Sequence, residues 1–545
     1  NRKGASDYLA ADGIRWTRNI RTSVGAESVE LGVHEGHARG VRVLFLHNAR
    51  FFPKPYPDTG AADTAAALVL MAKGALELMC QLRLIPSVVV TNDWFTGLVP
   101  AYAKSPAFGS PSVFQRTAFL HIAHNLDPSY EGRQYPQPWE GALEELHRLP
   151  PSLLVDPYWT GPVVWNPSRC AVLRSDTWAT VSNSYKEDLL RSSPLAPLLA
   201  TAPMPFGHPN GIPVAARRAA LLALPTNTHA AAKAALQRKY FGMAHPDPQL
   251  PLFSFVGRIT EQKGVHLIVD TAELLIQHFH GRVQFLVGGM ASSADRYGLH
   301  CASKMWYLRR RYPGSFWADP TAFFTDGPLV NLGSDFGLMP SLFEPGGIVQ
   351  QEMFVAGTPV IAFRTGGLKD TVIEFDRRSL EGNGFTFHAH QHEDFVQAVK
   401  RAVDVFNDGA QYERLRANAE ASVIDLTTVS WGWFAEFHRL RRCLPAGGAT
   451  LFKFRPPVPP RGAVQLWGSF TAWKEAVPMA LDEQLGEYVC ALALPKGFYT
   501  YKFKVDGEWH LASGFPVVRD PDSGASNHCI SVGDGQTHPT VPDLV

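Results

Sequence analysis

The stretch FEPGGIVQQE, Phe343–Glu352, lies between two short apolar runs, DFGLMPS (335–341) and TPVIAFR (358–364). Each run has the length and composition of a buried strand, and the segment between them, IVQQEMFVAG, reads as a helix. Strand, turn, helix, strand is the repeating unit of a parallel α/β sheet. The turn contains Pro345, Gly346 and Gly347, and seven residues separate its two carboxylates, Glu344 and Glu352.

The same rhythm extends in both directions. LFSFVGR (252–258) and VQFLVGG (283–289) supply further strands on the N-terminal side, and the helix in SWGWFAEFHRLRRCL (430–444) closes this half. Before the break at GHPNGIPV (207–214), the runs VRVLFLHN (41–48), PSVVVTND (86–93), RTAFLHIAHN (116–125) and TWATVSNS (177–184) alternate with helical stretches such as AADTAAALVLMAKGALELM. This predicts two Rossmann-type domains, 1–214 and 215–445. RPPVPPRG (455–462) reads as a semi-rigid linker within 446–461. Beyond it, AVQLWGSF, GEYVCALAL, FYTYKFKVDG, EWHLAS and NHCISV alternate with period two, which predicts an antiparallel β-sandwich and tail over 462–545.

A chain of 545 residues is long enough for several cores. Its formal charge of +1 gives no basic excess for nucleic acid or an anionic membrane. Its six cysteines form no CxxC pair, as expected of reduced thiols. The longest apolar run is broken by Lys73 and is too short to span a bilayer. The start, NRKGASDY, has neither an initiating Met nor a signal-peptide apolar region, which predicts a processed or truncated product. No GxGxxG follows a strand, no Walker lysine loop is present, and HAHQHED (388–394) reads as a solvated helix cap rather than a metal site. No metal or cofactor is expected.

Ligands of open α/β sheets bind beyond the carboxyl ends of the strands. The polar residues at those ends are Asp93, His124 and Asn125 in the first half. In the second they are Arg258 and Lys263 in GRITEQKG, the FEPGG loop, and RTGGLKD (364–370). Arg258 and Lys263 suit a diphosphate, one as a planar fork and the other as a point charge. Gly346 and Gly347 allow close backbone approach, and the helix beginning near Ile348 would aim free N–H groups at an anion. Carboxylates accept paired hydroxyl hydrogen bonds, so the pair Glu344 and Glu352 suits a hexose at one end and a ribose at the other.

Taken together, GRITEQKG, FEPGGIVQQEMFVAGTPVIAFRTGGLKDTV, TNDWFTGLVPAY and IAHN resemble the bacterial glycogen synthase and starch synthase family, retaining glycosyltransferases of the GT-B fold. The resemblance spans roughly residues 40 to 445 and includes the Glu-x7-Glu spacing. It implies that Arg258 and Lys263 meet the donor diphosphate and that Glu344 holds the donor glucose. It also implies that His124 lies beside that sugar, that Asp93 is an active-site acid, and that Gly366 and Gly367 form a turn near the nucleotide. The sandwich resembles the glycogen-binding module of the AMP-activated kinase beta subunit (carbohydrate-binding family 48) through GSFTAWK, YKFKVDGEW and SNHCISV. That resemblance makes Trp473 and Trp509 the sugar platforms, with Lys502 and Asn527 as polar partners, and leaves Trp467 in the core.

Two departures stand out. Gly346 and Val349 replace the family's Cys and Thr, and nothing before Val41 matches its first strand and Lys-x-Gly-Gly-Leu loop. The resemblance implies extension of an α-1,4-glucan (glycogen or starch) from ADP-glucose or UDP-glucose, in the cytoplasm or alternatively a plastid. The alternative is a catalytically impaired glucan-binding scaffold.

Overall fold

Runs of Val, Ile, Phe and Leu that are apolar at every position can be buried on both faces, and these runs form the two parallel sheets. The computed structural model describes residues 13–532, apart from 39, 54–59, 106–107, 109–112, 115–116, 157–160, 162, 444–449, 483–485, 493, 495–496, 514, 516 and 521–522. The NRKGASDY start and the tail beyond 532 therefore lie outside the described residues.

In the first lobe, β4 (Val88–Asn92), β5 (Ala118–Ala123), β6 (Thr177–Thr180) and β7 (Phe206–Gly207) form a four-stranded parallel sheet in that order. All six residues of β5 are buried. The run at 41–48 does not join this sheet. It forms β3 (Val41–His47), antiparallel to β2 (Glu27–Ala38), which pairs in turn with β1 (Arg15–Val24). No residue of β3 is buried, so it is an edge strand rather than a doubly covered one. Alternate residues Val29, Leu31 and Val33 of β2 join the core built around the helix Ala61–Gln81. A Cβ on Gly74 of that helix would come within 2.6 Å of the Leu31 side chain, so a larger residue there would force Leu31 to shift.

In the second lobe, the sheet order is β10-β9-β8-β11-β12-β13, all parallel. These strands are β8 (Leu252–Val256), β9 (Gln284–Gly288), β10 (Phe316–Asp319), β11 (Phe336–Met339), β12 (Val360–Phe363) and β13 (Gly384–Phe387). β10 and β13 add edges that the sequence reading had not assigned. The strand order reverses between β8 and β11, which is where such sheets open a crevice.

The helix Leu426–Cys443 does not simply close the second lobe. Its Leu440, Trp433 and Phe437 pack on Ala118, Leu120, Ile122 and Ala179 of the first sheet. The two lobes are also joined where Ile212 N–H donates to Ile424 O at 3.0 Å and Leu426 N–H donates to Ile212 O at 2.9 Å.

The sandwich begins earlier than residue 462. Thr450–Phe454 forms β14, paired with β18 (Glu487–Leu492), and β17 (Ala480–Asp482) completes that sheet. The proline-rich stretch therefore joins two strands of the module rather than preceding it. The facing sheet runs β16 (Val477–Pro478), β15 (Val464–Gly468), β19 (Gly497–Val505), β22 (Ser526–Val532) and β21 (Val517–Arg519), with β20 (Glu508–His510) also on β19. Among the described residues no helix is long and apolar enough to cross a membrane.

Leu440→Ala opens a cavity where the last helix meets the first sheet. The expected cost is about 2–4 kcal/mol, measured as an earlier first-lobe transition in thermal unfolding.

Candidate functional site

The loops that follow β8 and β11 flank the reversal of strand order, and they bring the predicted cation and carboxylate together. Lys263 ends a short 3-10 turn, Glu261–Lys263. Gly264 after it has φ +63°, and a Cβ there would lie 1.9 Å from the Pro340 carbonyl oxygen. Only glycine lets the two loops approach this closely. The Lys263 ammonium then contacts the Glu344 carboxylate, and Ser341 Oγ donates to Glu344 Oε2 at 3.0 Å. The two side chains are 17% and 10% exposed, so this is a largely desolvated ion pair. Removing one member of such a pair strands the other charge.

The glycine turn at 365–367 supports the same carboxylate from behind. A Cβ on Gly366 would sit 2.2 Å from the Glu344 carbonyl oxygen, and Gly367 N–H donates to that oxygen at 2.9 Å. These glycines therefore hold the backbone of the acid. Gly347 has φ +61°, while Gly346 faces Val181 and Asn210 of the first lobe at 2.9 Å from a built Cβ. Ile348 is exposed. The helix that follows is only six residues, Val349–Phe354, so its dipole is small.

Glu352 carries an ion pair: its Oε1 accepts from Arg217 Nε at 2.7 Å. This carboxylate is thus oriented by a cation 135 residues away. Arg258 is exposed, and its guanidinium donates to Gln262 Oε1 at 3.3 Å. Gln262 Nε2 in turn donates to Phe343 O at 3.4 Å, which links Arg258 to the FEPGG loop.

On the first lobe, Asp93 and His124 form a second cluster. Asp93 has φ +51°, a left-handed conformation unusual for a residue other than glycine. Its Oδ1 accepts from His124 N–H at 2.8 Å, and His124 Nε2 lies 2.9 Å from Asn92 Oδ1. Trp94 packs on Gly132, where a Cβ would come within 2.3 Å of the indole. Gly132 lies between Glu131 and Arg133, which form a buried ion pair. Sequence reasoning had not singled out this support, although YEGR (130–133) carries two charges beside a glycine.

Polar contacts join the lobes beside Glu344. Ser182 Oγ donates to Pro345 O at 2.6 Å, and Ser184 N–H donates to Asp370 at 3.1 Å. Lys369 pairs with Asp188 at 3.2 Å. A cavity of about 430 Å³ lies along this seam, lined by Glu344, Thr365 and Gly366 on one side and Asp127, Tyr185 and Asp188 on the other. Tyr185 Oη reaches Asn125 Oδ1 at 3.4 Å, which ties the cavity wall to the Asp93–His124 cluster. HAHQHED leads into the helix His392–Phe406 with His388, Gln391, His392 and Glu393 exposed, while His390 Nε2 lies 2.8 Å from the Pro340 carbonyl behind Gly264. Among the described residues no group of three or more His, Cys, Asp or Glu is arranged to hold a metal ion.

In the module, Ala472 and Trp473 adopt φ +50° and +57°, and the Trp473 indole is half-buried rather than fully exposed. Trp509 is 47% exposed, and the two rings lie 6.3 Å apart. Lys502 is half-buried, and Asn527 is only 7% exposed. Trp467 is not part of the sandwich core. It alternates with the buried Val464 and Leu466 and meets Trp509 with ring centroids 5.8 Å apart.

Burial raises the Asp93 carboxyl above its usual 3.8, against the opposing pull of His124. A folded-state pKa above the unfolded one gives stability below the unfolded value and loses it as pH rises through the folded value. Asp93→Asn is therefore expected to be more stable than the parent at pH 7. The gain should fade toward about pH 4, as checked by urea unfolding at both pH values.

Three family models match the chain in succession. The starch synthase catalytic domain covers residues 7–201, glycosyl transferases group 1 covers 244–422, and the glycogen recognition site of AMP-activated protein kinase covers 461–538. Glycogen synthase 2 of Geobacter sulfurreducens is 29% identical over 426 residues, covering 74% of this chain and 83% of that protein. Glycogen synthase of Aeromonas hydrophila is 28% identical over 429 residues, covering 74% and 82%. The catalytic domain of starch synthase IV from Arabidopsis thaliana, solved with ADP and acarbose, superposes with a TM-score of 0.67 at 21% identity. That alignment covers 79% of this chain and 90% of that one, and it supports the fold of the two lobes. In that order the chain carries a starch synthase catalytic domain, a group 1 glycosyl transferase domain and a glycogen-recognition module, the build of a glucan-extending glucosyltransferase of the GT-B fold similar to the glycogen synthases.

Proposed function

We propose that the chain transfers glucose from ADP-glucose or UDP-glucose to the nonreducing end of an α-1,4-glucan, with retention, using the loops at the β8/β11 reversal as its donor site. The observation that carries this reading is the Lys263–Glu344 pair beside the interlobe cavity. When the bond from the anomeric carbon to phosphate breaks, negative charge grows on the leaving oxygen. Lys263 and Arg258 supply fixed positive charge for it, and Glu344 accepts hydroxyl hydrogen bonds from the glucose.

Glu344 holds the Lys263 ammonium in place. A donor arriving between them offers phosphate to the lysine and hydroxyls to the glutamate, so both charges keep partners throughout. Asp93 and His124 border the sugar from the first lobe, and closure across the Ser182–Pro345 contact excludes water that would hydrolyse the donor. Gly346, Gly347, Ile348, Gly366 and Gly367 shape the loop under the donor, and Glu352, oriented by Arg217, completes the donor site. The module, through Trp473, Trp509, Lys502 and Asn527, raises the local concentration of glucan ends. The setting is the cytoplasm or a plastid, where the thiols stay reduced. No finding favours the scaffold alternative.

The test is incorporation of labelled glucose from each donor into glycogen. Arg258→Ala and Lys263→Ala are each expected to lower turnover by about 10²–10³-fold, the scale of losing one charge-stabilising donor, while both variants still pellet with glycogen. Full activity in both variants would refute the donor assignment. Trp473→Ala combined with Trp509→Ala is expected to abolish pelleting while elongation of short maltooligosaccharides continues.

A further inference from the structure

The outer face of the module's larger sheet carries more aromatic surface than the two-tryptophan reading accounts for. In β15, Val464 and Leu466 are buried, so Gln465 and Trp467 point the other way. In β19, Tyr501, Phe503 and Val505 are buried, which places Lys502 and Lys504 on that same outer face. Strand register then aligns the side chains: Trp467 is directly opposite Lys502, and Lys504 is directly opposite both Gln465 and Trp509. Directly paired residues on one face are within contact distance.

The rings confirm this neighbourhood. Trp467 and Trp509 lie 5.8 Å apart at 73°, and Trp509 and Trp473 lie 6.3 Å apart at 68°. The Lys504 ammonium sits 5.6 Å from the Trp467 ring centre and 5.1 Å from that of Trp509, so one cation bridges the two indoles. Trp467 Nε1 donates to Gln465 Oε1 at 3.2 Å, which fixes the ring's orientation. Neither Trp467 nor Trp509 belongs to the hydrophobic core of the sandwich.

We propose that Trp467 is a third stacking platform of the glucan site, continuous with Trp473 and Trp509 and held in place by Lys504. Pyranose rings present apolar C–H faces, and indoles offer large rigid apolar surfaces with polar groups at their rims. Three rings turned by about 70° from one to the next cannot form a flat shelf. They form a bent one, matched to a chain whose successive sugars turn, as in an α-1,4-glucan, rather than to the flat ribbon of a β-1,4-glucan. Lys502, Lys504 and Gln465 lie between the rings and can meet the sugar hydroxyls. The inference rests on the module being the glucan anchor, and it adds both a residue and a shape preference to that reading.

The experiment titrates the full chain with maltoheptaose and with cellohexaose by calorimetry, alongside thermal unfolding of each variant. The parent is expected to bind maltoheptaose and not cellohexaose. Trp467→Ala is expected to weaken maltoheptaose binding about tenfold, equivalent to about 1.4 kcal/mol. Trp467→Phe should retain most of the affinity, and Trp467→Leu, apolar but not flat, should lose it as the alanine variant does. If Trp467→Leu unfolds like the parent and binds maltoheptaose as tightly, stacking at this position is refuted. Equal binding of cellohexaose by the parent would refute the bent-platform argument. If the parent binds neither glycogen nor maltoheptaose, the anchor reading itself fails and this inference fails with it. Loss of binding in the Trp473/Trp509 double variant alone, with Trp467→Ala unaffected, overturns only the third platform.

Discussion

The desolvated contact between the Lys263 ammonium and the Glu344 carboxylate is the constraint around which the second lobe's site is built. Two opposite charges with little access to water must remain together or find substitutes. The surrounding backbone enforces their approach. Gly264 lets its loop come against the Pro340 carbonyl, while Gly366 and Gly367 close on the carbonyl of Glu344 itself. All of this sits where the sheet order reverses between β8 and β11, the point at which such sheets open a crevice. In the proposed donor site, a nucleotide sugar would meet both charges without leaving either bare.

The first lobe contributes geometry more than charge. Asp93 is held in a left-handed conformation by its own backbone bonds, by Trp94 packed on Gly132 and by the buried Glu131–Arg133 pair beyond it. Backbone strain of this kind persists only where surrounding contacts over-determine it. The contacts between lobes near the site are few and polar, led by Ser182 with Pro345 and Ser184 with Asp370. The apolar join lies elsewhere, where Leu440 and its neighbours on the last helix clasp the first sheet. Such a division permits hinge motion at the site while the covalent crossing stays fixed.

The module separates core from recognition by strand parity alone. Residues at one parity fill the space between its two sheets, and those at the other form the tryptophan and lysine face. Its first strand, β14, precedes the prolines, so these belong to a loop inside the sandwich.

The local sequence by itself determined the parallel strands of both lobes, the cations after β8 and the glutamate after β11. Each follows from composition or turn chemistry within a few residues, and doubly buried strands declare themselves by unbroken apolar runs. The outward face of Trp467 is misread as core, although the alternation of AVQLWGSF places the indole opposite Val464 and Leu466. The β2 strand was legible in the same way, through the alternation of ESVELGVH. Only the tertiary structure decided the rest. The partner of Val41–His47, the capture of Glu352 by Arg217 and the return of the last helix to the first lobe all depend on residues far away in the chain. A segment's composition sets what it can pair with, but the surface that reaches it first in space is chosen by the packing of the whole chain.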